Sequence, residues 1–126
     1  MPIEHICVIG LGYIGLPTAV SLTDGGFRVT GVDIKQAVVD TLNAGRLPME
    51  EPGMEAAFAA ARATGRLAFS IETPGADAYI ITVQTPHRTR PDGVCEAELR
   101  FVESAARQVG AALRPGGLVV LESTVP

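Results

Sequence analysis

No apolar run in this 126-residue chain approaches the roughly 18 residues that a membrane-spanning helix needs, so no membrane partner is expected. The chain enters a β-branched stretch almost at once, with no basic segment leading a long apolar region and a cleavage site. A secretion leader is therefore not expected, and the cytoplasm is the default location. Cysteine is scarce: Cys7 and Cys95 form neither a C-x-x-C pair nor a metal-ligand spacing, so no metal is expected. Basic blocks are also missing, and the formal net charge is −4, which argues against nucleic acid as a partner. The sequence has no internal repeat, linker or low-complexity tract.

What is present is 47% hydrophobic residues in a length that suits one domain but is short for an enzyme that must also recognise a second substrate. The N-terminal stretch from Ile6 to Pro17 runs through Gly10-Leu11-Gly12-Tyr13-Ile14-Gly15. A glycine turn of this spacing is weak on its own. Here a strand over 3–9 precedes it, a helix over 13–24 follows it, and the run Arg28 to Val32 ends at the acidic Asp33. Gly10 allows the tight exit from the strand, Gly12 lets a pyrophosphate approach the backbone, and Gly15 lets the helix pack closely. The unpaired amides at the helix start then face the phosphates without a basic side chain. Pro17 in the first turn lacks only a donor that has no intrahelical partner. Gly10, Gly12, Tyr13, Ile14 and Gly15 are thus candidate cofactor-binding residues.

Farther on, Gln36 to Asn43 reads as a helix with Val38, Val39 and Leu42 on its apolar face. A proline-rich loop over 46–53 precedes a helix with Met54, Ala57, Phe58 and Ala61 inward. A short strand over 67–70 comes next. The nearly continuous apolar run over 78–83 then suits a central strand covered on both faces. Residues 84–95 read as a loop, and Leu99, Val102, Ala106, Val109 and Leu113 mark the inner face of a helix over 96–113. A last strand covers 118–121. Strands alternating with helices imply a doubly wound parallel sheet with right-handed crossovers.

Asp33 can accept hydrogen bonds from adenosine ribose hydroxyls, and its charge opposes a 2′-phosphate, which favours NAD over NADP. The competing reading is an Asp that only caps the next helix. Thr85 and Thr124 both follow strands, where ligands of open parallel sheets lie, although a threonine before a proline is also a common turn residue. The same caution covers Gln84. Arg88 and Arg90 could face an anion or simply sit in solvent, Lys35 could touch the adenosine half, and His87 has no identifiable role. Cys7, inside the first strand, reads as an inert buried thiol.

Five motifs in order, Val8 to Pro17, Gly31-Val32-Asp33, Glu51-Pro52-Gly53, Val83-Gln84-Thr85-Pro86 and Glu122-Ser123-Thr124-Val125-Pro126, resemble the UDP-glucose/GDP-mannose dehydrogenase family over essentially all 126 residues. With Ile14-Gly15-Leu16-Pro17 and the helix Val102 to Arg107, the chain is most similar to the branch acting on UDP-N-acetyl-mannosamine. The resemblance implies NAD as cofactor and a four-electron oxidation of a nucleotide-sugar alcohol to a carboxylate in two hydride transfers, through a cysteine-bound intermediate. It also implies that Thr85 contacts the cofactor, that Thr124 contacts it and helps position water and substrate, and that the parent protein is a homo-oligomer serving polysaccharide biosynthesis. Gln84 departs from the proline or asparagine frequent in the family, and Val38 stands where some members carry a basic residue. The family's Asn-Pro-Glu-Phe and Gly-Gly-Ser-Cys segments have no counterpart, and neither Cys7 nor Cys95 matches the nucleophile.

The expectation is therefore a Rossmann-type α/β domain over 1–126 with strand order 3-2-1-4-5. It would be an N-terminal NAD-binding portion ending after the fifth strand, without the central and sugar-binding domains. Alone it should bind NAD weakly and catalyse nothing, with an open sheet edge inviting association. The alternatives are a β-hydroxyacid dehydrogenase cofactor domain, a non-catalytic NAD-sensing module and an S-adenosylmethionine-binding domain.

Overall fold

The computed structural model describes residues 2–85, 87–97 and 99–122. Strand β1 (His5–Ile9) leads through the glycine turn to helix α1 (Gly15–Asp24), then β2 (Arg28–Val32), α2 (Gln36–Asn43), α3 (Met54–Ala63), β3 (Leu67–Ser70) and β4 (Ala78–Ile81). Short strands β5 (His87–Thr89) and β6 (Cys95–Ala97) precede α4 (Arg100–Ala112) and β7 (Leu118–Leu121). The main sheet is parallel throughout, in the order β3-β2-β1-β4-β7. Counting its strands alone, this is the expected 3-2-1-4-5.

β1 is central and all five of its residues are buried, which is why it reads as an unbroken apolar run. Its side chains alternate between two layers. Cys7 and Ile9 pack with Tyr79, Ile81, Ala105 and Val109 under α4. Ile6 and Val8 face the opposite layer with Ala19 and Val29. Beside that second layer, Leu16, Val20, Leu42, Phe58 and Phe69 join α1, α2 and α3 to the sheet. The buried Tyr79 hydroxyl donates to the Pro74 carbonyl at 2.7 Å and accepts the Ala76 N–H at 2.9 Å, so its polar end is satisfied inside the core. At the far edge, all four β7 side chains are exposed.

Three details depart from the sequence reading. First, residues 84–95 are not simply a loop: β5 and β6 pair antiparallel, Thr89 opposite Cys95. The turn closes through Arg90 N–H to the Val94 carbonyl at 2.8 Å, with Gly93 at φ +84°. Second, α4 starts at Arg100 because residues 95–97 are committed to that hairpin. Third, α4 buries Ala105 and Val109, while Leu99, Ala106 and Leu113 are exposed. Small Ala105 and Ala112 let the helix approach Tyr79 and Ile81, so the inner face is rotated from the expected line. On α3, Ala57 is likewise exposed while Phe58 and Ala61 are buried.

Candidate functional site

The carboxyl ends of β1, β2 and β4 open on one cleft of about 470 Å³. Its floor is the glycine turn. Gly10 has φ +97°, and its N–H donates to the Val32 carbonyl at 2.8 Å. A Cβ there would lie 2.9 Å from the Val83 nitrogen, so both conformation and space require glycine. At Gly15 a Cβ would run into the Gly10 carbonyl oxygen and the Thr82 hydroxyl, so this glycine serves the turn itself as well as the helix. Gly12 is different: a Cβ there would meet nothing within 4 Å. No contact inside the protein demands glycine at that position, and an added side chain would occupy open space in the cleft instead.

α1 begins just beyond, with no side-chain cap and no acidic residue in its first turn. Its first amides and the positive end of its dipole are therefore available to an anion. Tyr13 and Ile14 are exposed at this helix start and line the cleft.

Asp33 follows β2 and does two things. Its Oδ2 accepts the Leu11 N–H at 3.0 Å, and its Oδ1 accepts the Lys35 N–H at 3.0 Å. The second bond leads the chain into α2, as the capping reading expected, while the first ties the carboxylate to the glycine turn. Each carboxylate oxygen keeps a further lone pair for an outside donor such as a ribose hydroxyl.

Thr85 and Gln84 line the cleft beyond β4, Thr85 half-buried and Gln84 exposed. Lys35 and Val38 line it beside Asp33. Arg90 does not: it pairs with Asp92 at 3.0 Å on the hairpin turn. Thr124 lies outside the described residues, as do Ser123, Val125, Pro126 and Pro86, and the side chains of His87, Arg88 and Cys95 are likewise not described. Cys7 is buried, which pushes its thiol up to about 12 and keeps it protonated and unreactive. Among the described residues no three His, Cys, Asp or Glu side chains gather in a way that could hold a metal ion.

Sequence reasoning missed several walls of the cleft. Pro48 and Met49 come from the loop after α2, and Phe101, Ser104 and Gln108 come from α4. No local pattern marks them, because tertiary packing brings them there. Gly31 was noted only as part of a motif; a Cβ on it would sit 2.8 Å from both Leu11 and Phe69, so its absence seats the residue after Gly10. Thr82 did carry a signal, as the one polar residue between Ile80-Ile81 and Val83.

A parallel sheet in this order, a glycine turn feeding a helix start, and a carboxylate at the end of the second strand define a dinucleotide-binding domain of Rossmann type. The family profile described as UDP-glucose/GDP-mannose dehydrogenase family, NAD binding domain, matches residues 4–126. The chain belongs to that family as its NAD-binding domain, and the open space above Gly12, the free helix start and Asp33 fit that cofactor. A UDP-N-acetyl-D-mannosamine dehydrogenase of Methanococcus maripaludis is 42% identical over 124 residues, covering 98% of this chain and 29% of the relative. An NDP-N-acetyl-D-galactosaminuronic acid dehydrogenase of Ralstonia nicotianae is 45% identical over 121 residues, covering 96% and 28%. Among solved structures, the UDP-N-acetyl-mannosamine dehydrogenase of Staphylococcus aureus superposes with a TM-score of 0.90 at 33% identity, covering 97% of this chain and 29% of that one. The chain thus spans under a third of the length of these relatives.

Proposed function

We propose that this chain is the N-terminal cofactor domain of a nucleotide-sugar 6-dehydrogenase, and that the sugar nucleotide is UDP-N-acetyl-mannosamine. The observation that carries this is the join of the glycine turn to Asp33 through Leu11, in a chain 42% identical to a dehydrogenase named for that substrate. Gly10, Gly12, Tyr13, Ile14 and Gly15 would hold the pyrophosphate, Asp33 the adenosine ribose, and Thr85 and Thr124 the nicotinamide side. Thr124 would in addition help position water and substrate. NAD, when bound, supplies the hydride acceptor. The balanced conversion takes one primary alcohol, one water and two NAD⁺ to one carboxylate, two NADH and three protons.

Cys7 is excluded as the nucleophile by burial, so a nucleophile would come from the part of the relatives' length that this chain does not span. A cytoplasmic enzyme of this kind would supply a uronate for polysaccharide biosynthesis. The test is an assay of the chain joined to that remaining length, against UDP- and GDP-sugars, following NADH. Two NADH per UDP-N-acetyl-mannosamine are expected. One NADH per sugar would reject the four-electron scheme, and turnover confined to another sugar would reject the substrate.

A further inference from the structure

The buried Thr82, one residue past β4, makes contacts that the glycine motif does not explain. Its N–H donates to the Ile9 carbonyl at 2.8 Å, continuing the ladder between β1 and β4. Its hydroxyl lies 2.7 Å from the Gly10 carbonyl oxygen and 3.0 Å from that of Ile9. Ile9 already has the Thr82 amide, so the carbonyl that depends on the hydroxyl is that of Gly10. The peptide unit joining Gly10 to Leu11 is thereby held at both ends. Its oxygen accepts from Thr82 on β4, and its N–H donates to Asp33 after β2.

We infer that Thr82 is a positioning residue for the cofactor, fixing the Gly10–Leu11 peptide so that the turn keeps its carbonyl oxygen inside and presents N–H groups to the pyrophosphate. The physical reason is electrostatic. A peptide plane in a glycine turn can rotate because Gly10 tolerates either sign of φ. Rotation would release the carbonyl from beneath Gly15 toward the helix start, where its partial negative charge would oppose a phosphate. It would also withdraw the Leu11 N–H from Asp33. A side chain of valine shape at position 82 would keep the packing and remove only the donor, leaving the Gly10 oxygen unsatisfied. Serine would keep the donor. The inference rests on the reading that this cleft binds NAD.

The experiment compares the chain carrying Thr82→Val, Thr82→Ser or Thr82→Ala with the unsubstituted chain. Dissociation constants are measured for NAD, ADP-ribose and adenosine, with thermal unfolding recorded alongside. Thr82→Val is expected to weaken NAD and ADP-ribose about 10-fold, the size of one lost buried hydrogen bond. It should leave adenosine, which has no pyrophosphate, within about 2-fold, and Thr82→Ser should restore NAD affinity to within about 2-fold. The Leu11 amide resonance should move in Thr82→Val and return in Thr82→Ser. If Thr82→Val does not fold, the serine and alanine variants, which differ by one hydroxyl, carry the same comparison. Unchanged NAD affinity without the hydroxyl overturns the inference, as does an equal loss for adenosine or a serine variant as weak as valine. Those outcomes leave the NAD reading intact, whereas an unsubstituted chain that binds neither NAD nor ADP-ribose overturns both.

Discussion

The two ends of the same sheet both open on clefts, and the larger is not the one that suits the cofactor. At the carboxyl end, about 470 Å³ is bordered by the glycine turn, the start of α1 and Asp33. At the amino end, about 650 Å³ is bordered by Arg28, Arg66, Arg114, His5 and Asp77. Counting cations alone would put an anionic ligand at the second. The helices say the opposite, because their positive ends point to the carboxyl edge and their carbonyl ends to the amino edge. Arg66 donates to the Thr23 carbonyl in the last turn of α1 at 2.9 Å, so this arginine is engaged in the fold. Asp77 accepts the amides of Glu4 and His5 at 3.1 and 2.9 Å, which fixes the entry to β1. The amino edge is thus a place where the protein satisfies itself, and the carboxyl edge a place where donors are left over.

The strongest way to break this contrast is to fill the carboxyl edge without disturbing the fold. Gly12→Val should weaken NAD by about 100-fold or more while leaving thermal unfolding nearly unchanged, since its side chain enters open space that the pyrophosphate needs. Calorimetric titration with a parallel melting curve checks both halves. The next effect belongs to Asp33. Removing a charge-assisted hydrogen bond typically costs about 1.5 to 3 kcal/mol, so Asp33→Ala should weaken NAD roughly 10- to 150-fold.

How much of this contrast is legible in the sequence depends on whether a feature is local. Gly10, Gly12, Gly15 and Asp33 sit within one strand-turn-helix-strand unit, and their spacing alone locates the phosphate turn. The amino-edge cluster draws Arg28, Arg66, Asp77 and Arg114 from separate elements, and no local pattern gathers them. Thr82 was hidden for a different reason: a lone hydroxyl in an apolar strand reads as part of the strand until its carbonyl partners are seen. The hairpin β5–β6 was lost because three-residue strands are too short for an alternating pattern, although Pro91-Asp92-Gly93 marks its turn. The inner face of α4 was misplaced because Ala105 carries little weight as an apolar residue yet packs closest.

A smaller effect sharpens the amino edge as a structural region with its own pH response. Burial, and then the positive Arg28, hold His5 below its ordinary value of 6.5, with Asp77 partly opposing them. The unfolded chain therefore takes up this proton before the folded one does. The His5 contribution to stability is complete above pH 6.5, falls as pH drops from there toward the folded value, and then levels off. Asp77, held below 3.8 by the amides of His5 and Glu4, adds a separate loss below that pH. Urea unfolding across this range should show both, and His5→Asn should remove the first while leaving NAD affinity within about 2-fold at neutral pH.

The most direct measurement of the contrast is an amide-resolved NMR titration of the chain with NAD. The expected result is that Gly12, Tyr13, Ile14 and Asp33 shift together and saturably, while Arg28, Arg66 and Asp77 stay in place. Shifts gathered around Arg28 and Arg66, or a chain that answers to S-adenosylmethionine and not to NAD, would contradict the account.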